Sequence, residues 1–387
     1  MKKAILSVML LCFLFFCVSC SADPGAVTET TVNQTETTAQ NPAASAAMQF
    51  ASNIKVGWNL GNTLDVPGTD PATAETGWGN PYTTAQTFQT VKAKGFNAVR
   101  IPVTWRAFIG DAPDYTINAQ WLARVKEVVD YAISNDLYTI INIHHDGGED
   151  GYDNGAWLIP DESHRADIFA KFKAVWTQIA DYFEEYDEKL IFEGMNEVHT
   201  AGDWTGATET VAYVNELNAA FVETVRATGG NNQTRFLMVP TYAASVGATA
   251  VWGMRLPEDD RLLISVHAYT PGDFAFSWGD TTTYDPTANQ SELETLFSRL
   301  KTEFIDKGVP VIMGECGAVF KNNDPERIKW ATHFGGTAYA YGVKCFWWDN
   351  GLFGSEGESF GLLNRQTQAW EHTDVLNAFI SACTSGL

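Results

Sequence analysis

Eight short apolar runs, each followed by a longer stretch with helical spacing, constrain this chain more than any other feature of it. They are VGWNL from Val56, FNAVRIPV from Phe96, LYTIINIHH from Leu137, KLIFEGMNE from Lys189, RFLMVPTY from Arg235, LLISVHAY from Leu262, VPVIMGE from Val309 and VKCFWWDN from Val343. The runs are continuously apolar rather than alternating, the pattern of strands buried on both faces in a parallel sheet covered by helices. Helices are expected over residues 84–94, 119–135, 165–186, 207–227, 292–307, 325–341 and 373–382, with a weaker signal between 240 and 261. The clearest is the segment before the third run, where Trp121, Val125, Val128, Val129 and Ala132 share one helical face. Eight such units over roughly 330 residues fit an α/β fold of the (β/α)8 TIM-barrel kind, as a single domain. An open doubly wound sheet is the rival, and it lacks a GxGxxG or phosphate loop after the first strand.

Residues 1–20 carry two lysines, an apolar run too short to span a bilayer comfortably, and then small residues, which is a secretory signal pattern. Cys20, after Val18-Ser19, fits the lipid-modified cysteine of a bacterial lipoprotein, although Cys17 stands where a leucine is usual; simple cleavage near Ser19 to Ala22 is the alternative. Residues 21–47 are rich in Thr, Ala and acids without apolar period and read as a disordered tether, leaving 48–387 for the barrel. A secreted or cell-surface, extracytoplasmic protein follows, expected as a monomer. Formal charge is −22, from 25 basic and 47 acidic residues, which argues against nucleic acid and anionic membrane surfaces as partners. Beyond the apolar signal only Cys20, Cys316, Cys345 and Cys383 remain, none in a CxxC pair, so neither zinc nor a disulfide framework is implied.

In a barrel, chemistry gathers where strands end. The runs deposit Asn59 and Asn62, Arg100, His144 and His145, Asn196 and Glu197, Tyr242, His267 and Tyr269, Glu315, and Trp347 to Asn350 at that rim. Strands four and seven face each other across eight, so Glu197 and Glu315 should meet over the mouth. Two carboxyls in one low-dielectric site ionise unequally, giving a proton donor and an anion, which is the equipment for cleaving a glycosidic bond. The bland reading, that each glutamate caps a helix or pairs with an arginine, accounts for one of them more easily than for both. Arg100 is placed to hold one carboxylate ionised, with Tyr269 as a second donor and His267 orienting the acid. Strand alternation sets His144 and His145 on opposite sides, which disfavours a shared metal ion, and the acidic loop after them misses the EF-hand spacing. No metal or cofactor is expected. Alternation also turns Cys316 outward, toward the helices, and no GxSxG elbow is present.

The motifs GWNLGNTLD, NAVRIPVTW, INIHHDG, GMNE, HAY, MGECG and FWWDNG resemble glycoside hydrolase family five, from about Val56 to Leu363, and ETGWGNPYTT resembles its subfamily four of endo-β-1,4-glucanases. The resemblance implies Glu197 as general acid/base and Glu315 as nucleophile, supported by Arg100, His144, Asn196, His267 and Tyr269. It implies Trp348 as the platform under the sugar at the cleavage point, and Asn62, His145 and Asn350 as sugar contacts. Trp78, Trp204 and Trp278 lie on loops where they could stack on more distant sugars. Cys316 departs from the aromatic or small polar residue more usual after the nucleophile. The implied activity is retaining hydrolysis of internal β-1,4-glucosidic bonds in a β-glucan. The same chemistry on xyloglucan, mixed-linkage glucan, xylan or mannan, transfer to a sugar acceptor, or a non-catalytic glycan-binding surface lipoprotein stay open.

Overall fold

The computed structural model describes residues 45–148 and 155–386. The signal segment, Cys20, nearly all of the 21–47 tether and the middle of the acidic loop after His145 lie outside them. In chain order the main elements are α1 (Ala46–Asn53), β1 (Gly57–Asn59), α2 (Ala85–Lys94), β2 (Ala98–Ile101), α3 (Ala119–Ser134), β3 (Tyr138–Asn142), α4 (Arg165–Tyr182) and β4 (Leu190–Glu193). Then come α5 (Thr208–Ala227), β5 (Leu237–Ser245), α6 (Ala248–Gly253), β6 (Leu262–His267), α7 (Gly272–Ala275), α8 (Pro286–Glu303), β7 (Val311–Cys316), α9 (Asp324–Tyr341), β8 (Lys344–Trp347), β9 (Leu363–Asn364), β10 (Ala369–Trp370) and α10 (Thr373–Ser385). Strands β1 to β8 pair in sequence order, all parallel, and β1 closes on β8. This is the expected (β/α)8 barrel.

Local chemistry sets the helix limits. Asn118 caps α3 by accepting from the backbone N–H of Gln120 and Trp121 at 2.9 and 3.1 Å, and the face from Trp121 to Ala132 is buried against the barrel. Several helices depart from the sequence reading: α4 ends at Tyr182, short of 186, α10 runs to Ser385, past 382, and α7 was not expected. Helix α8 starts at Pro286, six residues before the expected 292, because Asp285 caps it and proline takes the first turn. Helix α1 begins at Ala46, ahead of the expected boundary at 48, capped by Ser45.

The barrel interior is layered. Its lower layer is Ala98, Ile140, Ile191, Met238, Leu263, Ile312 and Phe346, and α1 plugs the open end beneath with Ala47, Phe50, Ala51 and Ile54. Phe50 stacks on Phe236 with centroids 3.8 Å apart, burial that stabilises by about 2–3 kcal/mol. Gly57 makes room in this layer, since a Cβ there would lie 2.1 Å from the ring of Phe346. Above it the inward positions turn polar: Asn59, Arg100, Asn142, Glu193 and Ser265, all buried. A second, larger apolar cluster fills the space between strands and helices. Water is thus excluded from below, and this buried polar layer lies on the side of the upper mouth. No helix among the described residues is long and apolar enough to cross a membrane.

Candidate active site

Glu315, at the end of β7, is almost fully buried, which on its own would favour the neutral acid. The charges of His267 and Arg100 and hydrogen bonds from Arg100 and Tyr269 overcome that burial and hold the carboxyl below its ordinary value. Arg100 Nη1 donates to Oε1 at 2.7 Å and the Tyr269 hydroxyl donates to Oε2 at 2.8 Å. Glu315 is therefore an anion with both oxygens engaged.

Glu197 lies just past β4 with a quarter of its side chain exposed to the cleft. Its Oε1 is 2.7 Å from His267 Nδ1, and that nitrogen is 3.7 Å from Glu315 Oε1. One oxygen of each glutamate and the imidazole nitrogen all lie within 4.8 Å of one another. Burial opposes charge on His267, but the pull of Glu315 and Glu197 outweighs it and raises the imidazole above its ordinary range. Its Nε2 is buried beside Gly314 without a partner.

Asn196 Oδ1 accepts from Arg100 Nη2 at 2.7 Å, which leaves its amide N–H groups free to address a ligand in the cleft. His144 is buried, and that burial, followed by the charges of His145, Arg100 and His267, keeps it well below the usual imidazole range and neutral. Its ring lies parallel to Trp348 at 5.8 Å and 4°. Trp348 is anchored by its backbone N–H to Cys316 O at 2.8 Å, and its indole occupies space opened by Gly61, where a Cβ would approach within 2.9 Å.

These side chains line one cleft of about 750 Å³, walled further by Trp78, Trp204, Trp278, Phe276 and Phe360. The three loop tryptophans expected as stacking surfaces all reach it. Two expected sugar contacts do not. Asn350 is buried and uses its amide within its own loop, donating to Glu358 O at 2.5 Å and accepting from Leu352 N at 3.2 Å. Asn62 stands at φ 55° and supports the turn, accepting from Asn80 through its carbonyl. The alternation argument for the tandem histidines also fails: β3 ends at Asn142, so His144 and His145 lie beyond the pleat and both face the cleft. Asp65, His144 and His145 bring ligand atoms within 4.8 Å of one another. Asp65 accepts from Asn62 and Thr63 N–H, and one ring nitrogen of each histidine is engaged, His144 Nδ1 with Asn142 Nδ2 and His145 Nδ1 with Asp65 O. Cys316 points away from the cleft, donating to Phe346 O at 3.4 Å and packing with Cys345 and Cys383.

Several contributors were not singled out from sequence. Glu193 grips Arg100 from below; a carboxylate inside the fully buried run LIFE was the available signal. His199 places Nδ1 2.6 Å from Glu197 O and lies under Trp204 at 4.0 Å. Arg365, on the loop joining β9 to β10, donates to Gly61 O and Thr63 Oγ1 at 2.7 Å and to Asp349 O, tying together the two segments that flank Trp348.

Residues 61–354 match the profile of the cellulase family, glycosyl hydrolase family 5. Endoglucanase A of Ruminococcus albus is 43% identical over 347 residues, covering 87% of this chain and 92% of that protein. Among solved structures, a GH5-4 broad specificity endoglucanase from Ruminococcus champanellensis with bound cellotriose superposes with a TM-score of 0.82 at 44% identity, covering 87% of this chain and 98% of the other. A GH5 xyloglucan-specific endo-β-1,4-glucanase from a metagenomic library, in complex with cellotriose, gives 0.82 at 41% identity, covering 87% and 98%.

Proposed function

From the premise that this chain belongs to the cellulase family, glycosyl hydrolase family 5, we propose that it is a retaining endo-β-1,4-glucanase working by double displacement. One observation carries the reading: carboxylate oxygens of Glu197 and Glu315 lie within 4.8 Å in a single cleft, with Arg100 and Tyr269 bonded to Glu315 alone. Retaining glycosidases keep their two carboxyls about 5–5.5 Å apart, inverting ones about 6.5–9.5 Å. Glu315 attacks the anomeric carbon while Glu197 gives its proton to the departing oxygen. Glu197 then takes a proton from water, and that water releases the sugar from Glu315. Arg100 and Tyr269 keep Glu315 anionic and aimed, and His267 orients Glu197. Asn196 addresses the sugar 2-hydroxyl, a hydrogen bond that tightens as positive charge grows on the ring. Trp348 and the parallel His144 form the floor beneath that ring.

Variants separate the two roles. Glu315→Ala should lose nearly all activity and recover it with azide, giving a glycosyl azide of inverted configuration. Glu197→Ala should keep its first step only on aryl cellobiosides with very good leaving groups. Near-native activity in both variants refutes the assignment.

The natural substrate is a β-1,4-linked glucan chain, and relatives described as broad-specificity and as xyloglucan-specific support a cleft that accepts decorated chains too. New reducing ends from cellulose derivatives, lichenan, xyloglucan, xylan and mannan rank these. The N-terminal pattern supports export, with lipid attachment at Cys20 as the finer reading; a Cys20→Ala variant released from the membrane fraction supports it, and an unchanged distribution rejects it.

A further inference from the structure

The guanidinium of Arg100 serves two carboxylates, and the double displacement employs only one. Its Nη1 edge meets Glu315 at 2.7 Å and Asn59 at 3.1 Å, and Nη2 meets Asn196 at 2.7 Å. The Nε edge points the other way, to Glu193 Oε2 at 2.6 Å. Both side chains of that second pair are wholly buried, so no ligand in the cleft reaches Glu193. Its remaining contacts also come from donors, Asn142 Nδ2 to Oε2 at 3.0 Å and Ser265 Oγ to Oε1 at 2.5 Å. A carboxyl approached by Arg, Asn and Ser donors on both oxygens is a carboxylate.

We propose that Glu193 is a positioning residue for the reaction: it fixes the rotation of the Arg100 guanidinium and takes up part of its charge, keeping Glu315 basic enough to attack. The proposal rests on the assignment of Glu315 as nucleophile. A guanidinium is a planar fork with five donors in fixed directions, so gripping Nε determines where the two Nη groups aim. Without that grip, the contacts to Glu315 and Asn196 lose their common reference. The charge argument is separate. Arg100 alone opposite Glu315 would pull the nucleophile toward a weak, strongly stabilised anion. A second carboxylate on the same cation divides the pull. Burial works against the charge on Arg100, and Glu193, then Glu315, more than restore it.

The other groups around this pair are accounted for. His267 from β6 faces Glu315 at 3.7 Å, Tyr269 donates to it, and Glu197 acts through His267. Neutral His144 faces Arg100 from the end of β3, and Cys316 adjoins Glu315 with its thiol turned outward. Of these, only Glu193 contacts the guanidinium as a second anion.

The test reads the nucleophile directly, through the pH dependence of covalent trapping of Glu315 by an activated 2-deoxy-2-fluoro-cellobioside. Glu193→Gln keeps the shape and an acceptor oxygen for Arg100 but removes the charge. Its acid limb should move about one pH unit lower, and trapping at neutral pH should slow about tenfold. Glu193→Asp, which keeps the charge, should return the limb toward the parent. An acid limb in Glu193→Gln that superposes on the parent overturns the proposal, whatever happens to the overall rate. If Glu193→Gln does not fold, Ser265→Ala tests the same link: stripping one donor leaves Glu193 more charge for Arg100, so the limb should rise, and an unmoved limb overturns the idea. A parent protein not labelled at Glu315 at all refutes the nucleophile assignment instead.

Discussion

Glu315 illustrates how a buried acid can stay ionised: burial pushes its pKa up, and His267, Arg100 and Tyr269 together push it further down. Its folded value lies below the ordinary 4.5, so its contribution to stability is fully present above about pH 4.5 and disappears as pH falls through the folded value. The same sign governs activity. For initial rates on a neutral glucan between about pH 3 and 8, the acid limb of kcat/KM should fall below the ordinary carboxylate range. Tyr269→Phe removes one donor to the carboxylate and should raise that limb by about one to two units, since a hydrogen bond to a charged group contributes about 1.5–3 kcal/mol. A limb that stays in place means the phenol does not stabilise the anion. At this scale the sequence was most informative where a motif ended a strand, as at Glu197, Glu315 and Tyr269. It misled on the relative directions of His144 and His145, which depend on where the strand ends, and it gave no sign that Asn350 spends its amide within its own loop. Glu193 escaped notice because its neighbours are all apolar.

Among the elements, the eight strands were legible because a short, continuously apolar run suits little besides a strand covered on both faces, and most helices because their faces keep a 3.6 period. The short helix α1 was not. It lies at the edge of an Ala- and Thr-rich stretch, and only packing against the barrel end defines it. Phe50→Ala should therefore cost about 3–4 kcal/mol in denaturant unfolding while leaving kcat unchanged, because the plug lies at the end of the barrel opposite the reacting groups. Loss of activity in the still-folded variant would contradict this separation of floor from mouth. Arg235 makes a parallel case. Buried at the start of the fifth unit, it donates to the carbonyls of Phe183, Tyr186, Asp187 and Leu190, finishing α4 and the turn after it. Arg235→Met orphans those carbonyls and should lower stability by about 3 kcal/mol, measurable as a drop in Tm. The β9–β10 ribbon, two residues per strand, is too short for any period to reveal, yet its loop carries Arg365 to the turn beneath Trp348.

For the whole molecule, a formal charge of −22 sets how it meets charged polymers. Carboxymethylcellulose should be repelled at long range, so raising salt from about 20 to 200 mM, which shortens the screening length from about 20 to 7 Å, should lower KM on that substrate. KM on an uncharged glucan should stay flat, and equal salt responses on both would show that the net charge plays no part in binding. The layered interior has a further consequence. With seven apolar side chains sealed beneath by α1, the barrel is a well rather than a pipe. In the proposed double displacement, a sugar bonded to Glu315 cannot be reached by anything seeping up from underneath. The next reactant must arrive by the doorway that the departing chain has just vacated, where water competes with sugar hydroxyls. Whether the bond ends in hydrolysis or in a longer chain is then decided by which of them stands in that doorway, so the crowding of acceptors outside becomes the dial.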